Sequence, residues 1–184
     1  MKTHQKHILK FMQRFISFFA GFLVAWLVLG WLSSVYANQP LEKGQQADEI
    51  EGQVVYIWDG DTIDLRDAYG TKHRIRLSEI DAPESDQVHG DESKRALEKR
   101  IGGQKVLVKV QKEKERYGRL VGHIYREGEN INYWMVESGN AWQYKRYSKS
   151  QELAALEQKA REKRLGLWEN RNPIAPWNYR HGAR

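Results

Sequence analysis

No cysteine occurs in the 184 residues. That excludes a disulfide framework and any cysteine-based zinc site. The chain can fold in an oxidising compartment, but without covalent staples. No acidic residue occurs in the first 37 positions, and charge of either sign is absent from Phe15 to Leu32. No internal repeat is visible, which excludes repeat architectures. Net charge is scarce too once the N-terminus is set aside. The full chain carries 30 basic and 24 acidic residues, a net of +6; without Lys2, Lys6, Lys10 and Arg14 the rest holds 26 against 24, a net of +2. So small a balance does not identify a nucleic-acid partner; local placement has to.

What the N-terminus does have is apolar bulk. Between Phe15 and Leu32 every residue except Ser17, Gly21 and Gly30 is aliphatic, aromatic or alanine. A secretory signal has an apolar region of about 7–15 residues, a membrane span about 20. This run lies between the two. Val35 and Ala37 resemble a signal-peptidase site before Asn38. Residues 1–37 therefore read as a signal peptide or a membrane anchor, with cleavage favoured. If the segment is kept, residues 15–36 sit in the membrane, the cations stay inside and the domain faces outward. Such a protein is exported, secreted or periplasmic, or anchored with its domain outside. A buried core helix is disfavoured, because the stretch is apolar on every side and a small domain would have to cover every face of it.

Residues 38–50 are polar and carry Pro40 and Gly44, which predicts a linker. Strand patterns follow at 53–58, 62–66, 72–77, 105–110 and 120–126, rich in β-branched residues or alternating in polarity. Asp59-Gly60 marks a tight turn, and Pro83 stops the third strand. Helical periodicity covers 90–101 and 131–137, the latter closed by Gly139. The longest helix is predicted over 148–165, capped by Ser148 with Gln151 and stopped by Gly166. Pro173 to Trp177 reads as extended. The pattern gives an α+β domain: a five-stranded OB-type β-barrel with about three helices, preceded by an N-terminal hydrophobic helix.

The chemistry concentrates in Asp59-Gly60-Asp61-Thr62 and in the run from Arg76 to Glu84. If their strands are neighbours, Asp61 and Asp81 meet at one barrel end. Their oxygens, with the carbonyl of Ala82, suit a hard cation, Ca²⁺ or Mg²⁺. Taken singly, each aspartate is an ordinary turn residue; the two clusters together point to a site. Glu84 follows a proline and can hold or deprotonate a water. Arg76 and Arg119 carry planar guanidinium groups that match phosphate oxygens in pairs. A lone strand arginine would be a surface salt bridge, worth about 0–1 kcal/mol. His73, His123, Trp134, Trp168 and Trp177 read as strand or packing residues.

The ordered set Asp59-Gly60-Asp61-Thr62, Arg76-Leu77, Ile80-Asp81-Ala82-Pro83-Glu84, Tyr117-Gly118-Arg119 and Gly166-Leu167-Trp168 resembles the staphylococcal nuclease-like (thermonuclease) family over residues 51–178, with 179–184 left as a tail. The resemblance implies an OB-fold nuclease using one Ca²⁺ held by Asp61, Asp81 and the Ala82 carbonyl. Arg76, Glu84 and Arg119 would be the catalytic trio. Water would attack the phosphorus and the 5′-oxygen leave, so that DNA or RNA ends in 3′-phosphates. Arg116, Tyr117, Tyr144, Lys145 and Tyr147 would grip substrate. Arg116 replaces a lysine of the staphylococcal enzyme, and Lys145 stands where that enzyme has a tyrosine. Lys145, Arg146 and Lys149 would add salt-dependent phosphate contacts. The protein is expected to be a monomer. The alternative is a non-catalytic OB module that binds nucleic acid or protein; a structural envelope protein would need no catalytic trio.

Overall fold

Ile63, Leu65, Ile75, Leu77, Val108 and Ile124 lie on successive strands and all have 0 % exposure. Burial of each such side chain contributes about 1.5–3 kcal/mol, which fixes the strands against one another. The computed structural model describes residues 49–112 and 118–182. They form β1 (Glu49–Ile57), β2 (Thr62–Asp67), β3 (Lys72–Leu77), β4 (Ile80–Asp81), α1 (Gly90–Ile101), β5 (Lys105–Lys112), β6 (Leu120–Arg126) and β7 (Glu129–Asn130). Then come α2 (Ile131–Glu137), β8 (Trp142–Gln143), α3 (Gln151–Glu162), a 3₁₀ turn (Gly166–Glu169) and α4 (Pro176–Tyr179). The long strands run β3-β2-β1-β5-β6, and a parallel pairing of β3 with β6 closes the ring. This is the OB-type barrel expected, with four α-helices among the described residues. The hydrophobic N-terminal segment lies outside the described residues, and among these no helix is long and apolar enough to cross a membrane.

Three elements depart from the sequence reading. β1 begins at Glu49 and takes up the end of the expected linker, because Glu49 to Gln53 pair in order with Lys109 to Lys105. The ladder to β5 overrides the polar composition there. The long helix starts later, at Gln151, and its cap is Ser150, whose hydroxyl accepts the Leu153 N–H at 3.1 Å. Ser148 instead donates to Glu79 Oε1 at 2.9 Å. The helix also ends earlier, at Glu162; Arg164 turns to φ 53° before Gly166 is reached. Finally, the stretch expected to be extended becomes helical at Pro176, a proline fitting the first helical turn.

Candidate active site

Three strand pairings bring distant residues to one rim of the barrel. Thr62 pairs with Arg76, Arg76 with Val121, and Asp81 with Trp142. Asp61 is one residue before Thr62, Arg119 two before Val121, and Tyr144 two after Trp142. A cleft of about 610 Å³ results, lined by Asp61, Arg76, Asp81, Ala82, Glu84, Arg119, Tyr144 and Tyr147 among others.

The Asp61 loop is held by its own chemistry. Trp58 N–H donates to Thr62 O at 2.9 Å, and Asp61 N–H donates to Asp59 Oδ1 at 2.9 Å. A Cβ at Gly60 would lie 1.9 Å from Ser93 Oγ and 2.7 Å from Ala82 Cβ. Only glycine lets this loop press so close to α1 and to the end of β4. The Asp61 carboxylate accepts from Ala82 N–H at 2.8 Å and from Thr62 Oγ1 at 3.1 Å. Arg76 then joins the two acids. Its Nη2 lies 3.1 Å from Asp61 Oδ2 and 2.9 Å from Asp81 Oδ1, while Nη1 donates to Leu77 O at 2.5 Å. Glu84 is set by Gln87: its N–H donates to Gln87 Oε1 at 3.2 Å, and its carbonyl accepts Gln87 N–H at 2.9 Å.

The cleft crowds negative charge. Burial and the neighbouring Asp61 charge push the Asp59 carboxyl up to about 7, against the pull of Arg76. Burial raises Asp81 as well; hydrogen bonding from Arg180 opposes this, and the Asp61 charge adds to it. Two hard carboxylates with surplus negative charge fit a divalent cation. Among the described residues no group of three or more His, Asp or Glu is arranged to hold a metal ion. A cation here would rest on Asp61 and Asp81, with backbone and water oxygens completing its shell.

Arg116 and Tyr117 lie outside the described residues. Tyr147 is 67 % exposed and meets Tyr144 edge-on at 4.8 Å. Lys145, next to Tyr144, lines a second hollow with Gln143, Glu157 and Arg161. The chain turns after Tyr144, whose carbonyl accepts the Tyr147 and Ser148 N–H groups at 2.8 and 2.9 Å. Trp142, Trp168 and Trp177 form a packed cluster, with Trp142 4.4 Å from Trp168 and 5.6 Å from Trp177.

Two residues absent from the sequence reading stand in the site. Glu79 adopts φ 66° in the turn between β3 and β4. Its carboxylate reaches Ser148 Oγ at 2.9 Å and His123 Nε2 at 3.2 Å, and its carbonyl accepts Tyr144 N–H at 2.8 Å. It thereby ties the Tyr144 segment to β6. Burial holds the His123 imidazole below its ordinary value even though Glu79 pulls it up. Arg180, assigned to the tail, reaches Asp81 Oδ2 at 2.7 Å and Glu84 Oε1 at 2.6 Å. The only signal for it was the apolar Pro-Ile-Ala-Pro-Trp run just before, which needs somewhere to dock.

Residues 74–170 match a family model described as staphylococcal nuclease homologue. An endonuclease of Escherichia coli O157:H7 is 40 % identical over 134 residues, covering 72 % of this chain and 86 % of its own length. The chain belongs to the staphylococcal nuclease family. A micrococcal nuclease of Shigella flexneri is 39 % identical over 147 residues, 74 % of this chain and 83 % of its own. A staphylococcal-like nuclease of Arabidopsis thaliana is 46 % identical over 113 residues, 61 % of this chain but 35 % of the plant protein. Membership makes the chain a phosphodiester hydrolase acting on nucleic acid, in a family whose enzymes need a metal ion. The family match includes Arg76, Asp81, Glu84 and Arg119; Asp61 lies before it and Arg180 after it.

Proposed function

We propose that this staphylococcal nuclease-family protein is an exported or membrane-anchored, Ca²⁺-dependent enzyme that cleaves DNA, RNA or both and leaves 3′-phosphate ends. The reading is carried by the gathering of Asp61, Arg76, Asp81, Glu84 and Arg119 on one cleft. Glu84 holds a water in line with the phosphorus. Arg76 and Arg119 grip the phosphate oxygens, on which negative charge grows as the water oxygen bonds to phosphorus. Because the fold fixes Arg76 before reaction, its stabilisation costs little reorganisation. The bond to the 5′-oxygen breaks as the new one forms. The water loses its proton to Glu84 or to solvent, and the 5′-oxygen gains one to leave as a hydroxyl. A calcium ion held by Asp61, Asp81 and the Ala82 carbonyl would add positive charge beside the same oxygens. Tyr144 and Tyr147 offer rings for base stacking, and Arg116 with Tyr117 would complete the phosphate grip. Export is supported by the four cations ahead of the apolar run 15–32.

Full-length protein in mild detergent, given single-stranded DNA with Ca²⁺ or with a chelator, tests this, with Glu84→Gln alongside. Expected are calcium-dependent cleavage, loss of turnover by orders of magnitude in the variant, and 5′-hydroxyl ends that polynucleotide kinase labels without prior phosphatase treatment. Undiminished cleavage in chelator would remove calcium from the reading. Binding without cleavage under every metal condition would leave a non-catalytic OB module.

A further inference from the structure

Arg180 reaches both acids of the cleft from beyond the region that the family match covers. Its segment is built in. Gln87 Nε2 donates to Ile174 O at 2.6 Å, Trp177 stacks on Tyr144 with centroids 5.4 Å apart and planes 2° from parallel, and Tyr179 OH donates to Asp86 O at 3.1 Å. The guanidinium bridges Asp81 and Glu84: Nη2 donates to Asp81 Oδ2 at 2.7 Å, and Nη1 donates to Glu84 Oε1 at 2.6 Å and to Asp81 Oδ1 at 3.3 Å.

We propose that Arg180 is a resident counter-cation of this site, competing with a divalent cation for Asp81 and giving Asp81 up when that cation binds. The inference rests on the reading of Asp61 and Asp81 as cation ligands. Both Asp81 oxygens are already engaged, Oδ1 by Arg76 at 2.9 Å and Oδ2 by Arg180 at 2.7 Å. The Asp81 side chain is 2 % exposed, so a cation that reaches it has to displace a group that now covers it. One arginine has to yield. Arg76 is the poorer candidate: it is 13 % exposed, lies on β3 with a paired strand on each side and bonds Leu77 O and Asp61 as well. Arg180 is 40 % exposed, follows a four-residue helix, and shares its other nitrogen with a Glu84 that is itself 35 % exposed. The docking contacts run through Gln87, Trp177 and Tyr179 rather than through the guanidinium. The Arg180 side chain can therefore swing while its backbone stays docked, and the released charge remains at the cleft rim. Competition for one carboxylate is reciprocal: whatever Arg180 contributes in holding Asp81 is subtracted from cation affinity.

Calorimetric titration of Ca²⁺ into the full-length protein, without nucleic acid, tests this directly. Wild type, Arg180→Ala, Arg180→Gln, Arg180→Lys and Asp81→Asn are compared, and melting in chelator checks that each is folded. The expected result is about five- to tenfold tighter calcium binding by the alanine and glutamine variants at unchanged stoichiometry, the size of one partly exposed charge pair. Lysine, a point charge without the planar fork, should fall between them and wild type. Asp81→Asn should lose the site. Equal or weaker binding by Arg180→Ala and Arg180→Gln, with Asp81→Asn still losing calcium, overturns the competition and leaves the cation reading standing. Calcium binding that ignores Asp81→Asn, or no binding by wild type, overturns the cation reading and the competition with it.

Discussion

Asp64 on β2 and Asp81 on β4 are both buried aspartates gripped by two cations, yet their carboxyl groups shift in opposite directions. Asp64 has 0 % side-chain exposure; Arg74 Nε lies 2.9 Å from one oxygen and Lys72 Nζ 2.8 Å from the other. The stems of these two cations cover it while their charged ends stay half in water. Burial works to raise Asp64, but hydrogen bonds from Arg74 and Lys72 outweigh it and hold the carboxyl below its ordinary value. Asp81 is equally enclosed by Arg76 and Arg180, and it is raised, with burial the main cause and Asp61 a further one. Burial is the largest cause at both, and the neighbouring acid adds to the difference: the Asp61 charge raises Asp81, whereas the groups acting on Asp64 after burial are hydrogen-bond donors that lower it. An aspartate satisfied by two cations is a staple. An aspartate that shares its cations with a second acid leaves negative charge over, and that surplus is what a cation-binding phosphodiesterase needs.

The largest expected effect separates the two regions by activity. Arg119→Ala should cut turnover on single-stranded DNA by about two to three orders of magnitude, as loss of one preorganised donor to developing charge does. Asp64→Asn should leave turnover within about twofold at the same calcium concentration. Steady-state kinetics on folded proteins decide it. A loss in Asp64→Asn comparable to that in Arg119→Ala would erase the distinction between staple and site.

Stability should sort them the other way. Asp64→Asn should lose about 1–2 kcal/mol at neutral pH in urea unfolding, since two charge-assisted bonds go but their cationic partners remain half hydrated. The pH dependence has a definite sign. Asp64 has a folded value below its ordinary 3.8. Its contribution is fully present above 3.8 and is lost as pH falls through the folded value. The gap between wild type and Asp64→Asn should therefore be constant from pH 7 to about pH 5 and close below 3.8. A gap that persists at pH 2 would mean that packing, not charge, holds β2 to β3 at this point.

The barrel was legible in the sequence because each of its strands carries its own alternation. Ile63 and Leu65, or Ile75 and Leu77, announce a buried face two residues apart. The acids and arginines could be picked out because they sit in short runs, Asp59 to Thr62 and Arg76 to Glu84, and the barrel brings those runs to one cleft. What could not be read is whatever depends on partners far along the chain. Glu49 joins β1 only because Lys109 pairs with it. Ser148 loses its place as a helix cap to a bond with Glu79, 69 residues earlier. Arg180 meets Asp81 across 99 residues, with nothing local to say so. Asp64 escaped notice for a related reason: alternation turns it away from the core, and Lys72 and Arg74 from β3, with Trp58, enclose it.

The smallest effect tests where the cleft stops. Tyr147 lines it and is largely exposed, whereas Lys145, two residues earlier, faces a different hollow. Stacking of a base on an aromatic ring is worth about 1–3 kcal/mol, and the lower end suits so exposed a ring. Tyr147→Ala should therefore raise KM about fivefold with kcat little changed, and Lys145→Ala should leave KM within about 1.5-fold. The salt dependence sharpens the same boundary. Of the three cations near this segment, Arg146 lies 5.7 Å from the ring of Tyr147, a cleft residue, while Lys149 Nζ bonds the Lys145 carbonyl. On single strands each phosphate contact contributes a slope of about 0.7 in log affinity against log salt. Neutralising Lys145, Arg146 and Lys149 together should then lower the slope by about one contact's worth. A drop of three contacts would return Lys145 and Lys149 to the substrate track and widen the site beyond the cleft.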